Sequence, residues 1–160
     1  MPLAAVRNVA GMQTKLWRKI AMKRVLFVCV HNAGRSQMAE AFVNHLAEER
    51  GLEIKGESAG TIVGERINPL ALQVMQEIGV SMEGQTPKQL TSEMGAGAWK
   101  SITMGCGVDA EACPARVMIT EDWGLDDPAG KPIEKVRAIR DQIHTRVKAL
   151  LCEIETGGET

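Results

Sequence analysis

Val25-Leu26-Phe27-Val28-Cys29-Val30-His31-Asn32-Ala33-Gly34-Arg35-Ser36 passes from an apolar run through a cysteine and a short polar loop to an arginine and a serine. The apolar run reads as a buried strand. Beyond the loop, Met38, Ala41, Phe42 and Leu46 share one face of a helix. A tight loop between a strand and a helix start aims several backbone N–H groups at one spot, and the helix N-terminus adds partial positive charge. Val30, His31, Asn32, Ala33, Gly34 and Arg35 are therefore the candidate oxyanion-binding residues. Arg35 contributes a planar two-pronged donor. Cys29 at the mouth of this field is expected to act as a nucleophilic thiolate, because its neighbours favour the charged form. Ser36 can donate to that sulfur and also stands where a helix cap would be. Asn32 tolerates the left-handed backbone that such a loop needs, and Gly34 allows close approach to the anion. His31 reads as an exposed loop side chain rather than a base.

The rest of the chain alternates between strand and helix patterns. Strands are expected near 23–30, 53–58, 100–105 and 115–119. Helices are expected near 35–50, 67–78 and 131–153, with a shorter one near 86–96. Gly51 and Gly79 end two of them, and Pro69 suits a first helical turn. Alternation of this kind implies an α/β fold, a parallel sheet covered on both faces. Its ligand belongs at the carboxyl end of the strands. Ala98–Met104 is less apolar than a central strand should be.

Net charge is −1, which gives no electrostatic case for nucleic acid. No apolar run approaches the ~20 residues of a membrane span, and no Cys/His cluster has zinc spacing. Four cysteines in this placement suggest working thiols in a reducing, cytoplasmic setting. Cys152 falls among Ile143, Val147, Leu150 and Leu151 and reads as a thiol without a role. Between Met1 and Arg24 there are six basic residues and no acidic one. Residues 1–22 read as a basic extension outside the folded domain of 23–153, with 154–160 a tail, and Met22 is the plainer start.

The Cys29 loop resembles that of the low-molecular-weight protein tyrosine phosphatases, and more closely that of the thioredoxin-coupled arsenate reductases sharing their fold. Glu57-Ser58-Ala59-Gly60, Thr103-Met104-Gly105-Cys106, Cys113-Pro114 and Asp122-Trp123-Gly124-Leu125-Asp126-Asp127-Pro128 carry the same resemblance. It implies a single three-layer domain with a four-stranded parallel sheet. It also implies that Asp127 protonates the leaving group, while Pro128 holds Asp127 extended. Like charges beside Asp127 favour its protonated form. Asp126 reads as a solvated neighbour and Trp123 as packing beneath the loop.

A reductase of this kind passes its disulfide from Cys29 to Cys106 and Cys113, and thioredoxin reduces the last bond. On a rigid helix, cysteines seven apart lie about 10 Å apart along the axis, too far for a disulfide, so the segment must bend, as Gly105 and Gly107 allow. The resemblance implies no cofactor; arsenate and thioredoxin are the expected partners of a monomer. Some relatives hold a potassium ion behind the loop with an asparagine, a glutamate, a serine and an aspartate. Asn32, Glu40 and Ser58 match the first three. Lys88 stands at the fourth position, which implies an ammonium in the ion's place. Two other readings stay open: a phosphotyrosine phosphatase, disfavoured by the absence of tyrosine and by Trp123 as the only aromatic near the Asp-Pro loop, and a non-catalytic oxyanion or redox sensor.

Overall fold

The computed structural model describes residues 22–105 and 119–156. Residues 1–21 of the basic extension, the stretch 115–118, Cys106 and Cys113 lie outside the described residues.

Four strands, β1 (Lys23–Cys29), β2 (Ile54–Gly60), β3 (Lys100–Thr103) and β4 (Glu121–Asp122), form one parallel sheet in the order β2-β1-β3-β4. The helices are α1 (Arg35–Arg50), α2 (Pro69–Glu77), α3 (Ser92–Ala96) and α4 (Ile133–Glu155). β1 is central and alternates its side chains between the two faces. Val25 and Phe27 point into the main core with Met38, Phe42, Val74, Ile139 and Ile143 from α1, α2 and α4. Leu26 and Val28 point to the opposite face, where Ala59, Leu90, Met94 and Ala98 cover them.

Helix ends follow the sequence. Asn68 caps α2 by accepting from the Leu70 N–H at 2.9 Å, with Pro69 in the first turn. Gly51 ends α1 in the left-handed conformation. The first half of α1 is not a one-sided helix: every residue from Arg35 to Val43 is buried.

Two expectations need correction. Residues 86–91 are not helical; only Ser92–Ala96 is. The Gly60 N–H donates to Lys88 O at 2.8 Å and the Leu90 N–H to Gly60 O at 2.8 Å, so this segment runs extended along the end of β2. Tertiary pairing overrides local helix propensity there. The described part of the fourth strand is Glu121–Asp122, later than expected. The Thr103 side chain of β3 is satisfied by donating its hydroxyl to Asp122 Oδ1 at 2.8 Å, and the Ser101 backbone N–H donates to Thr120 Oγ1 at 3.1 Å. On the outer side of β2, Asn44 of α1 meets Gly56 twice. Its Nδ2 donates to Gly56 O at 3.1 Å, and the Gly56 N–H donates to its Oδ1 at 2.8 Å.

Candidate active site

At the carboxyl end of β1 the chain turns sharply between Cys29 and Arg35, and six consecutive carbonyls are engaged from outside the turn. Cys29 O accepts from the Thr61 N–H at 3.1 Å, Val30 O from Ile62 at 2.8 Å, and His31 O from Gly64 at 2.9 Å. Asn32 O accepts from Gln37 Nε2 at 3.0 Å, Ala33 O from Asn68 N–H at 2.7 Å, and Gly34 O from Met38 N–H at 3.0 Å. No peptide here is cis. In a planar trans peptide the N–H points opposite to the preceding carbonyl. With the carbonyls held outward, the loop N–H groups converge inward. α1 starts at Arg35 with no acidic residue in its first turn, so its positive end is left for an anion.

Cys29 is buried at the centre of this turn. Its Sγ lies 2.8 Å from Ser36 Oγ and accepts from the Asn32 N–H at 3.1 Å. Asn32 Nδ2 donates to the same Ser36 Oγ at 2.8 Å. A hydroxyl that accepts on its oxygen still has its proton to give, so Ser36 donates to the sulfur. Two donors on one sulfur stabilise a thiolate. Ser36 is not the helix cap; Gly34 occupies that place, and no side chain caps it.

Asn32 is wholly buried with φ 54°, the only positive φ among described residues other than glycine. It organises the loop from behind rather than lining the pocket. Its Oδ1 accepts from Gln37 Nε2 and from the Lys88 N–H, both at 2.8 Å. Gln37 was not singled out by the sequence, yet it is fully buried and also donates to Thr86 O at 3.0 Å. Gln85 Nε2 in turn donates to Gln37 Oε1 at 2.8 Å. No local signal marks it: its neighbours in sequence are as polar as those of a surface helix, and only the fold shows the turn to be buried.

Arg35 is buried and its Nη1 donates to Met104 O at 3.1 Å and to Leu125 O at 2.7 Å. Nη2 lies 3.9 Å from Asp127 Oδ2. The guanidinium is thus fixed between the loop after β3 and the loop after β4. Asp127 is mostly exposed and accepts the Ala129 N–H at 3.0 Å, so it shapes its own turn as well as facing Arg35. Asp126 is more than a solvated neighbour: its Oδ2 pairs with Lys135 Nζ of α4 at 3.0 Å. Hydrogen bonding and charge from Lys135 hold its carboxyl below the usual range. Trp123 is buried and tilts against Phe27 with ring centroids 5.3 Å apart, beneath the Asp127 loop as expected.

The pocket is lined by Cys29, Val30, His31, Ala33, Gly34 and Arg35 together with Leu125, Asp126, Asp127, Pro128 and Ala129, with Asn68 and Gly105 completing it. Gly34 has a use beyond approach to an anion. A Cβ there would stand 3.0 Å from Pro128 Cγ, so its bareness lets the two loops close on each other. His31 is exposed on the rim, with Nδ1 3.0 Å from Ile62 O.

Behind the loop, Glu40 is buried and accepts the Ser58 hydroxyl at 2.8 Å and the Lys88 ammonium at 3.3 Å. The same ammonium donates to Thr86 O at 3.3 Å. This set of residues carries its own fixed cation and does not fit a further metal ion.

Residues 24–159 match the low molecular weight phosphotyrosine protein phosphatase family. The chain is similar to the glutaredoxin arsenate reductase of Synechocystis sp., 36% identical over 135 residues, covering 83% of this chain and 99% of that protein. It is similar to the thioredoxin-dependent arsenate reductase of Corynebacterium glutamicum, at 36% identity and TM-score 0.69, over 85% of this chain and 63% of that one. A low molecular weight phosphotyrosine phosphatase of Vibrio cholerae superposes with TM-score 0.77 at 23% identity, over 86% of this chain and 99% of that one, a likeness of fold alone. With its outward carbonyls, its buried Cys29 and its Arg35 pinned between two loops, the chain belongs to the low molecular weight phosphotyrosine protein phosphatase family.

Proposed function

We propose that this chain reduces arsenate to arsenite with electrons from a thioredoxin-type dithiol. The observation that carries this reading is the Cys29–Arg35 turn, whose engaged carbonyls leave its N–H groups for a tetrahedral oxyanion beside a doubly hydrogen-bonded sulfur. Kinship at 36% identity with proteins named arsenate reductases supports arsenate over a phosphotyrosine side chain.

Arsenate docks against the loop N–H groups and the Nε–Nη2 edge of Arg35, since Nη1 is committed to Met104 O and Leu125 O. The Cys29 thiolate attacks arsenic, and Asp127 protonates the departing oxygen, which leaves as water. Cys106 then attacks the Cys29 sulfur. The S–As bond pair goes to arsenic, which is reduced from As(V) to As(III) and departs as arsenite. A Cys29–Cys106 disulfide remains. Cys113 attacks Cys106, returning Cys29 as a thiolate and leaving a Cys106–Cys113 disulfide. The external dithiol reduces that bond and is itself oxidised. Such a cycle requires a reducing compartment, consistent with the cytoplasm. Among the described residues no helix is long and apolar enough to cross a membrane.

NADPH consumption with arsenate, thioredoxin and thioredoxin reductase tests this, with Cys29→Ser, Cys106→Ser and Cys113→Ser as comparisons. The relay predicts turnover lost in all three variants. Loss in Cys29→Ser and Cys106→Ser alone means that thioredoxin reduces the Cys29–Cys106 disulfide directly, and it removes Cys113 from the relay. Arsenate-independent, Cys29-dependent hydrolysis of an aryl phosphate, without reduction, makes the chain a phosphatase.

A further inference from the structure

Arg35 depends on two carbonyls from different chain segments, and something must hold those segments together. Met104 O follows β3 and Leu125 O follows β4, and both accept from one nitrogen, Arg35 Nη1, at 3.1 and 2.7 Å. Two carbonyl dipoles converging on one point repel each other along the approach. The strands that deliver them are weakly joined: β4 has two residues and sits at the sheet edge. Past the strand ends the segments are tied by Trp123 N–H to Thr103 O at 2.9 Å and Leu125 N–H to Met104 O at 3.1 Å. The approach is close, since a Cβ on Gly105 would stand 2.4 Å from the Leu125 nitrogen.

Asp122 lies at this junction. Thr103 and Asp122 are register partners across β3 and β4, and the Thr103 hydroxyl donates to Asp122 Oδ1 at 2.8 Å. Asp122 is an exposed residue; the slight desolvation of its carboxyl pushes it up, but the Thr103 hydroxyl, the N–H groups of Gly124 and Gly105 and the Arg35 charge outweigh this and hold the group below the ordinary aspartate range. Its partners thus come from both sides of the junction.

We infer that Asp122 is a positioning residue for Arg35: bonded to Thr103 across the β3–β4 junction, it keeps Met104 O and Leu125 O at the separation that grips Nη1 and aims the guanidinium at the oxyanion. The inference rests on the reading of the Cys29–Arg35 turn as an oxyanion site. It is independent of whether that oxyanion is reduced or hydrolysed.

The test uses inorganic phosphate as the probe in the full chain. Protection of Cys29 from iodoacetamide is followed by mass spectrometry of its peptide, so that the exposed Cys152 does not interfere. Asp122→Ala and Thr103→Val should each raise the phosphate concentration for half-protection severalfold, less than the loss of a direct hydrogen bond to the anion would. The pH profile of unprotected Cys29 alkylation should stay as in the parent chain. Asp122→Asn, which retains an oxygen acceptor for Thr103, should recover most of the affinity. Should Asp122→Ala fail to fold, Thr103→Val and Asp122→Asn carry the test. Parent-like phosphate protection in folded Asp122→Ala, or in Thr103→Val, overturns the inference, as does a shifted alkylation profile without a change in half-protection. A parent chain that phosphate does not protect at all overturns the oxyanion reading and this inference with it.

Discussion

Replacing Lys88 by methionine should make the protein depend on a monovalent cation that it otherwise ignores. Lys88 Nζ stands 3.3 Å from Glu40 Oε1, with the lysine side chain 38% exposed and the glutamate 10% exposed. At that distance two unit charges attract by about 5 kcal/mol at an effective dielectric of ~20. Solvent at the lysine end screens the pair down to roughly 1–2 kcal/mol. Removing the ammonium also strands a buried carboxylate, which adds to the loss. A net destabilisation of about 2 kcal/mol follows, or about 4–8 °C in melting temperature for a chain of this size. The damage should reach the active loop, because the Lys88 N–H is bonded to Asn32 Oδ1 and Asn32 to both Ser36 and Cys29. Thermal melts and arsenate kinetics, each with sodium exchanged for potassium at constant ionic strength, measure both effects. The parent chain should be indifferent to the exchange, and Lys88→Met should melt higher and turn over faster in potassium. A several-fold activation of the parent chain by potassium, or a Lys88→Met variant as stable as the parent in sodium, refutes the reasoning.

Ser36→Ala removes a donor 2.8 Å from Cys29 Sγ and should slow alkylation of Cys29 at neutral pH by about 10- to 100-fold, the worth of a hydrogen bond to a charged group; an unchanged rate contradicts the donor assignment. Gly34→Ala places a methyl 3.0 Å from Pro128 Cγ and should push the Asp127 loop outward, lowering kcat by more than it raises the phosphate concentration for half-protection of Cys29; equal effects on both would locate the damage in the oxyanion turn instead. His144 lies flat on Phe42, ring centroids 4.5 Å apart, and burial, then the charge of Lys148, push its pKa down against the opposing pull of Asp141. The unfolded chain therefore takes up this proton first, so stability should fall as pH drops below about 6.5 and level off once His144 titrates in the fold. Denaturant titrations of His144→Phe should lose that part of the acid slope; a slope equal to the parent's would place the acid sensitivity elsewhere.

Much of the site was legible because its chemistry is local. Cys29, Arg35, Ser36, Asn32 and Gly34 lie within one turn, and the turn follows from an apolar strand meeting a helix start. The side chains that hold the turn were harder to read because they come from afar. Gln37 looks like any helix residue until both of its neighbouring turns prove buried, and Gln85 reaches it from 48 positions away. Lys88 was found only through kinship. Its segment was misread as helix because residues 86–91 pair with Gly60, a contact no local pattern announces. The polar look of β3 has a similar origin in part: the Thr103 side chain answers to Asp122 on the next strand, while the Ser101 backbone meets Thr120 just before it.

The amide of Asn44 closing on Gly56 bears on how these molecules behave in a crowd. β2 is an outer strand, and a bare outer strand is a template on which a strand from another molecule can grow. Here the outward N–H and C=O of Gly56 are already spent on a side chain of the same molecule, and Gly60 farther along is spent on Lys88 and Leu90. An incoming strand that paired along the whole of this border would have to displace these four bonds. At high concentration, fibre-like stacking through this border meets a standing barrier built from a single asparagine and one short extended segment.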